Sequence, residues 1–336
     1  MSRLFQSLFG GKPAGNGLRD ASVVERAIDR ALDATDPRLR SIAGHRKRLQ
    51  PAVAKAIDHV IALGSALPPP VEASARTWGE DDRLSSFFAS SARMAEVFGA
   101  DRALLDFLES PMGGADPVHA LLVMERTEKK VLGMALQGEH VQREVSQVQV
   151  SFDKHRLLEP QASAQDHRRL VMRRAFDQVL TAALTRITMA SHEREALEAG
   201  QAVLKAKVRA LQSSHFGLSH ADEGEGTDAV ALEAKLAQIG RDLEATGTGA
   251  RTLPRHLDLL VETLEQAPEQ LFAQPLSILM DRLGIRQDTA GGTTVRLDLV
   301  EVRRAAGPPL VVLPVAIPRD AIAKRDVFAE AKRFLI

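Results

Sequence analysis

Any chemistry in this chain must come from its ten histidines, from carboxylates, from hydroxyls or from a bound cofactor, because the sequence has no cysteine. The lack of cysteine excludes disulfides, thiolate nucleophiles, cysteine-bound zinc and iron–sulfur clusters. No two histidines have the His-Glu-x-x-His spacing that places two imidazoles on one helical face, and no Gly-x-Ser-x-Gly segment forms an esterase-type nucleophile elbow. The sequence therefore predicts no catalytic residue and does not support naming an enzyme.

One polar segment contains three residues of the types that bind metal ions. His215, His220 and Asp222 are close in sequence and could in principle hold a divalent cation. Flexible polar loops carry such residues routinely, so the spacing alone predicts no metal site. His140 and His155 flank a predicted hairpin, where a surface role at the strand ends is favoured over catalysis.

Two glycine-containing segments have part of a phosphate-binding motif. Residues 10–13, Gly-Gly-Lys-Pro, lack the earlier glycine of a P-loop and have proline where the motif requires Ser or Thr. Gly224, Gly226 and Ala229 have dinucleotide-binding spacing, but no predicted strand precedes them and the acidic residues around them would repel a pyrophosphate. The sequence therefore predicts no cofactor.

Two groups of basic residues could bind an anionic surface. Residues 38–55 contain six Lys or Arg and no acidic residue, and a second group begins a long predicted helix. The first group does not share a single helical face, so an ordinary solvated surface is the competing interpretation. The second group could dock acidic protein or lipid headgroups. The candidate residues of the two groups are Arg46, Lys47, Arg48, Arg169 and Arg173.

The overall composition weighs against several classes of binding protein. The chain has 336 residues, with 44 Lys and Arg against 44 Asp and Glu, so it offers no global attraction to nucleic acid or anionic lipid. It has no Tyr and a single Trp, whereas modules that bind single-stranded nucleic acid or sugars stack aromatic rings on their ligands. Nucleic acid is therefore disfavoured as a partner.

The N-terminal segment, residues 1–17, is predicted to be an amphipathic attachment. Four apolar residues recur with i, i+4 spacing on one face of a short helix, and the glycines and proline after them would end it. These candidate interaction residues are Leu4, Phe5, Leu8 and Phe9. Their face could attach to a membrane surface or to a protein, or could pack onto the chain's own domain.

No segment has the pattern of an export signal or of a membrane span. The N-terminal apolar stretch is too short and too interrupted for a signal peptide. The longest uncharged run, residues 305–318, contains four prolines, whereas a span needs about 20 predominantly apolar residues. We therefore expect a cytoplasmic protein.

The first part of the chain is predicted to be helical and then to form a β-hairpin. Apolar residues at 3.6-residue spacing indicate a helix over about 20–35, and further helices define a helical region over 18–125. Residues 130–152 alternate between apolar and polar, which indicates a hairpin. The alternation shifts by one residue near Ser146 and Gln147, where we expect a bulge.

Residues 161–270 are predicted to form an antiparallel helical hairpin with a coiled-coil seam. The first helix is expected over about 164–212, where apolar residues recur every seven positions. Arg194 and Gln201 interrupt the second position of this seam, which would weaken the zipper there and could set its register or expose it. Residues 232–243 repeat the spacing after a flexible break, which favours folding back on the first helix.

The C-terminal section returns to strand-like sequence. Residues 271–289 are predicted to be a connector that contains a short helix over 275–283. Alternation then resumes at Val295, and the apolar run at 310–317 contains Pro314. Proline confines a strand to a sheet edge or a bulge, so we expect that position for the last strand.

These elements predict an α+β fold that is mostly α with a small antiparallel β-sheet. The most economical arrangement joins the two β-hairpins into one sheet, built from residues 126–160 and 290–336, and inserts the long coiled-coil-like helical hairpin between them. Two separate hairpins are the alternative, but a two-stranded hairpin alone is marginal in water. We expect helices to cover the sheet face that carries Leu132, Met134, Val150, Val295 and Leu297.

Three functional hypotheses follow from this organisation. The first is a cytoplasmic, non-enzymatic interaction or scaffold protein whose coiled-coil hairpin engages a protein partner or a second copy. The second is an enzyme whose site is assembled from distant residues. The third is a nucleic-acid or membrane-surface binder that uses the 38–55 basic patch, and steep salt dependence of binding would favour it over the first.

Overall fold

The structure is a computed structural model that describes residues 21–137, 140–214, 225–246, 252–289 and 294–323. These residues mix helices with an antiparallel sheet, which confirms the α+β class. They form two compact units. One comprises Ile57–Phe176 and the described residues from Pro268 onward, and the other comprises the described residues up to Ala56 and those of Asp177–Ala267.

The helices and strands of the described residues are as follows. The helices are α1 (Ala21–Ala34), α2 (His45–Ala66), α3 (Ala75–Glu80), α4 (Asp82–Phe87), α5 (Ser91–Ala100), α6 (Arg102–Glu109), α7 (Ala164–Ser214), α8 (Glu225–Thr246), α9 (Thr252–Glu265) and α10 (Ala267–Gln270). The strands are β1 (Val71–Glu72), β2 (Val118–Gln137), β3 (His140–Gln161), β4 (Leu271–Met280), β5 (Val295–Arg304) and β6 (Leu310–Ile317). A 3₁₀ helix, Pro37–Ser41, follows α1. The long helix predicted over 164–212 is thus confirmed as α7.

The strands of the first unit form one sheet in the order β3-β2-β6-β5-β4, and each neighbouring pair is antiparallel. The short strand β1 pairs in parallel with β6. Strands β2 and β6 pair from Val118–Ile317 to Glu125–Leu310. The two predicted hairpins therefore share one sheet, as the sequence indicated.

The turn after β4 links the two edge strands of this sheet. Its backbone bridges are Ile285 with Gln149 of β3 and Arg286 with Met280 of β4. Gly284 has a φ of 77°, and its carbonyl accepts a hydrogen bond of 2.8 Å from the Val150 N–H. The turn therefore occupies backbone groups of β3 that an open edge would leave unpaired.

The helix predicted over residues 275–283 is wrong, because Leu271–Met280 forms β4 and pairs along its whole length with β5. A short apolar run does not distinguish helix from strand by pattern alone, and pairing with a neighbouring strand decides the outcome here. Residues 271–289 thus supply an edge strand and the linking turn. Pro275 lies in this edge strand, where a missing N–H is tolerated.

Pro314 lies in a central strand, which corrects the prediction of an edge or bulge. Strand β5 pairs with β6 at Leu310–Val312, and β1 pairs with it at Val315–Ala316. Pro314 falls in the gap between these two pairings. Its missing N–H therefore removes no ladder hydrogen bond on that side of the strand.

The bulge predicted at 146–147 lies slightly earlier in β3. The pairs Gly133–Val145 and Met134–Arg143 enclose one extra residue of β3. The expectation of a register shift is confirmed, but its position is wrong by two residues. An extra residue can be placed wherever the alternation restarts, so the pattern fixes such positions poorly.

One face of the sheet packs against α4, α5 and α6. Its core includes alternate residues of the central strands, among them Leu122, Met124, Val311 and Leu313, with Phe98 from α5. Of the residues predicted to be covered, Val150 and Leu297 are buried and Val295 is partly buried against this core, whereas the side chain of Met134 lies outside the described part. Leu132 is 76% exposed, so its predicted coverage is wrong.

A carboxylate is enclosed at the border of this core. Glu301 of β5 is fully buried. Its Oε1 accepts a hydrogen bond of 2.9 Å from Arg126, and its Oε2 accepts bonds of 2.8 Å from Gln274 and 2.9 Å from Arg303. Burial alone would raise the pKa of Glu301, but these hydrogen bonds outweigh it and lower the pKa.

The second unit is helical, and ion pairs connect its helices. The apolar stripe predicted for the first helix is confirmed, because Val23, Ile28 and Leu32 of α1 are buried. The ion pairs between helices are Arg30 with Asp177, Arg46 with Glu25 and Asp29, Arg48 with Asp258, and Arg186 with Glu262. Among the described residues, no helix combines the length and the apolar character needed to cross a membrane.

Candidate interaction surface

The distal part of α7 carries a half-buried stripe with heptad spacing. The seam residues Leu180, Ala183 and Ile187 are buried. Beyond Ile187 the exposure of the seam increases, and its residues are each intermediate between buried and exposed. This distal seam consists of Ala190, Arg194, Leu197, Gln201, Leu204 and Val208. The separations alternate between four and three residues, which is the pattern of a helix that packs against another along one edge.

Helix α8 presents a matching stripe. Leu232, Leu236 and Ile239 are half-buried, and Leu243 is buried. A Cβ atom placed on Gly200 would lie 3.9 Å from Ile239 Cδ1, which is an ordinary van der Waals contact between α7 and α8. The two helices therefore meet at the midpoint of the distal seam.

Two large apolar side chains of the distal part of α7 are open to solvent. Met189 is 66% exposed and Val203 is 56% exposed. They are two heptads apart, so they lie on the same side of α7. Each directly precedes a seam residue in the sequence, but consecutive residues of a helix do not share a face. Met189 and Val203 therefore lie on the side of α7 turned away from the seam and do not extend it.

The two polar residues of the seam have hydrogen bonds along their own helix. Arg194 Nε donates to Glu198 Oε1 at 2.8 Å, and Lys205 Nζ donates to Gln201 Oε1 at 3.0 Å. Pairs with this i, i+4 spacing stabilise a helix by a few tenths of a kcal/mol. Arg194 and Gln201 are thus compatible with a solvated seam.

Most of the basic residues at 38–55 are compensated by carboxylates from other parts of the second unit. Arg46 pairs with Glu25 and with Asp29, the latter at 2.6 Å, and Arg48 pairs with Asp258. Further pairs are Arg38 with Asp36 at 2.9 Å and Arg40 with Asp33 at 2.7 Å. Lys47 is exposed and forms no ion pair with a described residue. The segment has no acidic residue of its own, yet its surroundings reduce its charge.

The second basic group lies at the start of α7 and is only partly compensated. Arg169 pairs with Asp166 at 2.9 Å, and Arg174 pairs with Glu159 at 2.6 Å. Arg173 is exposed and has no ion pair within the part of the chain that the structure describes. The candidate residues Leu4, Phe5, Leu8 and Phe9 lie outside the described residues, as do His215, His220 and Asp222.

A Ser-His-Asp arrangement in the second unit was missed by sequence reasoning. Ser191 Oγ lies 3.3 Å from His256 Nε2, and His256 Nδ1 lies 3.2 Å from Asp36 Oδ2. The three residues come from α7, α9 and the cap of the 3₁₀ helix. Hydrogen bonds from Arg38 lower the pKa of Asp36 to about 2 against the opposing effect of burial, and the bond with His256 contributes to the same shift. No local motif announces this cluster, because 220 positions separate Asp36 from His256.

The surroundings of Ser191 do not suit acyl transfer. Ser191 lies inside α7, and its Oγ donates to the Ile187 carbonyl at 3.0 Å. Backbone N–H groups within a helix are already bonded to carbonyls four residues earlier, so none is free to form an oxyanion hole beside Ser191. The arrangement is a polar network that joins three elements of the second unit, with Asp36 and His256 buried and Ser191 half-buried.

No cluster of three or more metal-binding side chains occurs among the described residues. Comparisons with protein-family models, with curated proteins and with solved structures found no match for this chain. Its function must therefore be inferred from its own surfaces and cavities.

Proposed function

We propose that this chain is a non-enzymatic interaction protein that acts through an antiparallel hairpin of α7 and α8. The observation that carries the proposal is the half-buried distal seam of α7. Apolar side chains at heptad spacing that remain half-covered in one chain can bury further area against another helix. The occupant is a helix of a protein partner or of a second copy.

The closeness of Gly200 to Ile239 supports the hairpin. Gly200 lies 14 residues before the end of α7, and Ile239 lies 14 residues after the start of α8. Equal distances from the connection are those that two antiparallel helices require when they fold back on each other. Two helices leave the outer side of the seam uncovered, and a third helix is the simplest element to cover it.

The ion pairs around residues 38–55 weigh against the alternative of an electrostatic surface binder. Counterion release on binding nucleic acid requires cations that are free to contact phosphates. Carboxylates of the same unit already neutralise Arg46 and Arg48. Three expectations stay predictions: salt-sensitive binding by this segment, membrane attachment by the N-terminal segment, and a cytoplasmic location.

The experiment places a photo-crosslinking residue, benzoylphenylalanine, at Lys205. Lys205 is exposed and flanks the seam one turn after Gln201, so its probe should crosslink to a helix that covers the seam, and mass spectrometry should identify one peptide of this chain or of a partner. Val203 is exposed on the side of α7 turned away from the seam, so the same probe there is the matched control. Sedimentation velocity over a wide concentration range separates a second copy from a different protein.

The proposal predicts two results. The Lys205 crosslink should map to a defined helix and should disappear on Leu204→Asp, which places a charge in the seam. Equal, unspecific crosslinking from both positions, together with a monomer at every concentration, would contradict the proposal.

A further inference from the structure

A cavity of about 420 Å³ lies inside the first unit, between the segment that follows α2 and the first turns of α7. Cavities of this size are in the range that binds small organic molecules. One wall is the run Pro68–Pro70 together with Leu67, and Val171 and Pro314 add apolar surface. Proline has no N–H and little conformational freedom, so this wall is apolar and preformed.

His167 lines the cavity and is 4% exposed. Its Nδ1 lies 2.8 Å from the carbonyl oxygen of Glu159. Glu159 lies at a register shift of β3 and has a φ of 51°. A carbonyl oxygen accepts and never donates, so Nδ1 carries the proton. Burial lowers the pKa of His167, and the imidazole is neutral near pH 7.

The other ring nitrogen of His167 is therefore a hydrogen-bond acceptor. Nε2 is buried and has no hydrogen-bond partner among the residues that the structure describes. The nearby His119 also has a buried ring nitrogen, Nδ1, that has no hydrogen-bond partner in the described part of the chain. Buried polar atoms without a partner are rare in native proteins, and each one calls for an explanation. A ligand that donates a hydrogen bond supplies one.

The charge at the cavity is positive. Arg168 lines it and forms no ion pair with any described residue. The cavity also borders the first two turns of α7, which Ser163 caps by accepting a hydrogen bond of 3.1 Å from the Asp166 N–H. The aligned peptide dipoles of a helix favour an anion at this end. None of the residues that line the cavity has a carboxylate to oppose it.

We propose that this cavity binds a small carboxylic acid that has an apolar body and a hydrogen-bond donor. The apolar body packs against the proline wall. The carboxylate lies at Arg168 and the start of α7, and a hydroxyl or amide N–H on the ligand donates to His167 Nε2. The proposal concerns the first unit and is independent of the hairpin surface of α7 and α8.

The test is isothermal titration of the full chain with three probes that differ in one group each. 3-Hydroxydecanoate has both polar groups, decanoate lacks the hydroxyl, and 1,3-decanediol lacks the charge. Saturable binding at one site is expected for 3-hydroxydecanoate below its micelle concentration. Decanoate and 1,3-decanediol should each bind with about tenfold lower affinity, because each loses a hydrogen bond to a charged or buried group.

Variants assign the charge to one residue. Arg168→Gln should lower the affinity for 3-hydroxydecanoate about tenfold and leave the affinity for 1,3-decanediol unchanged. The matched control is Arg173→Gln, which removes an exposed arginine from the same helix and should bind like the unchanged chain. His167→Phe should abolish the preference for 3-hydroxydecanoate over decanoate. If that variant fails to fold, the probe series on the unchanged chain still tests the hydroxyl.

Four results would each overturn the proposal. The first is no saturable binding of 3-hydroxydecanoate, and the second is equal affinity for 3-hydroxydecanoate and decanoate. The third is equal affinity for 3-hydroxydecanoate and the diol, and the fourth is equal affinity of the Arg168→Gln and Arg173→Gln variants for 3-hydroxydecanoate.

Discussion

Glu301 is a carboxylate whose two oxygens receive hydrogen bonds from Arg126, Arg303 and Gln274 inside the first unit. A buried charge is tolerated only when its partners replace the water that it has lost. Removing Glu301 would leave the mostly buried Arg126 with Glu128 as its remaining ion-pair partner among the described residues, and would leave the half-exposed Arg303 to solvent. We therefore expect substitution of Glu301 to lower the stability of the first unit.

Glu301→Gln should lower the free energy of unfolding by about 2 kcal/mol near neutral pH, because Arg126 loses one of its two charged partners. The folded-state pKa of Glu301 lies below its usual value of 4.5. Its stabilisation is therefore fully present above the pKa of the unfolded chain and is lost as the pH falls through the folded-state pKa. The difference between the two chains should shrink on acidification, and urea unfolding at a series of pH values measures it.

Asp298→Asn is the control for that measurement. Asp298 lies on the same strand, but its ion pair with Arg296 is in solvent. It should change stability little at any pH. A similar loss for both substitutions would show that strand β5, rather than the buried cluster, is responsible.

Individual polar contacts were the least predictable part of the molecule. The partners of Glu301 come from three strands, and Asp36 meets His256 across 220 positions. Helical and strand periodicities report which face of an element is buried, but they do not report which elements meet. The sequence did predict Arg194 and Gln201 within the α7 seam, because that position depends on spacing along a single helix.

Helix α7 is the clearest case of an element that its sequence predicts. It has 51 residues, and its apolar spacing changes little along them. What the spacing does not report is coverage, since the seam residues are buried up to Ile187 and half-buried beyond it. Short apolar runs such as β4 were harder, because their length allows either kind of element.

Gly200→Ala should raise the free energy of unfolding by about 0.5–1 kcal/mol, since alanine favours a helix interior over glycine by about that amount. The added methyl would lie at an ordinary contact distance, 3.9 Å, from Ile239 Cδ1. Thermal unfolding followed by circular dichroism measures the change.

Gly240→Ala is the matched control on α8, because a Cβ there meets nothing within 4 Å. Both substitutions should stabilise the chain. A loss at Gly200 with a gain at Gly240 would mean that α7 and α8 approach more closely than ordinary van der Waals contact, which contradicts the described seam.

The sheet of the first unit depends on pairings between distant parts of the chain. Its existence as one sheet was predictable, because two lone hairpins would each be marginal. The turn that links the edges of β3 and β4 was not predictable, since single bridges at Ile285 and Arg286 leave no periodic pattern. The order of the strands likewise depends on contacts that no local pattern encodes.

Gly284→Ala should destabilise the first unit by about 1–3 kcal/mol. Gly284 has a φ of 77°, and a Cβ there would lie 2.8 Å from the Val150 carbonyl oxygen. The substitution should also speed hydrogen exchange at the Val150 N–H, which donates to Gly284. Mass spectrometry of exchanging peptides detects this change.

Gly79→Ala provides the comparison, because a Cβ at Gly79 meets nothing within 4 Å. It should leave the exchange of Val150 unchanged. If Gly284→Ala also leaves that exchange unchanged, the linking turn does not protect the edge of β3.

The pairing of β2 with β6 has a consequence for how the chain leaves the ribosome. Gln161 ends β3 and Leu310 begins β6, so 149 positions separate them. At about 5–20 residues per second, synthesis leaves β2 without its second neighbour for roughly 7–30 s. During that interval the segments of the helical unit have all been made, while Leu122 and Met124 still lack the strand that completes their sheet. The nascent hairpin of β2 and β3 is therefore a part of this molecule that a chaperone could protect during synthesis.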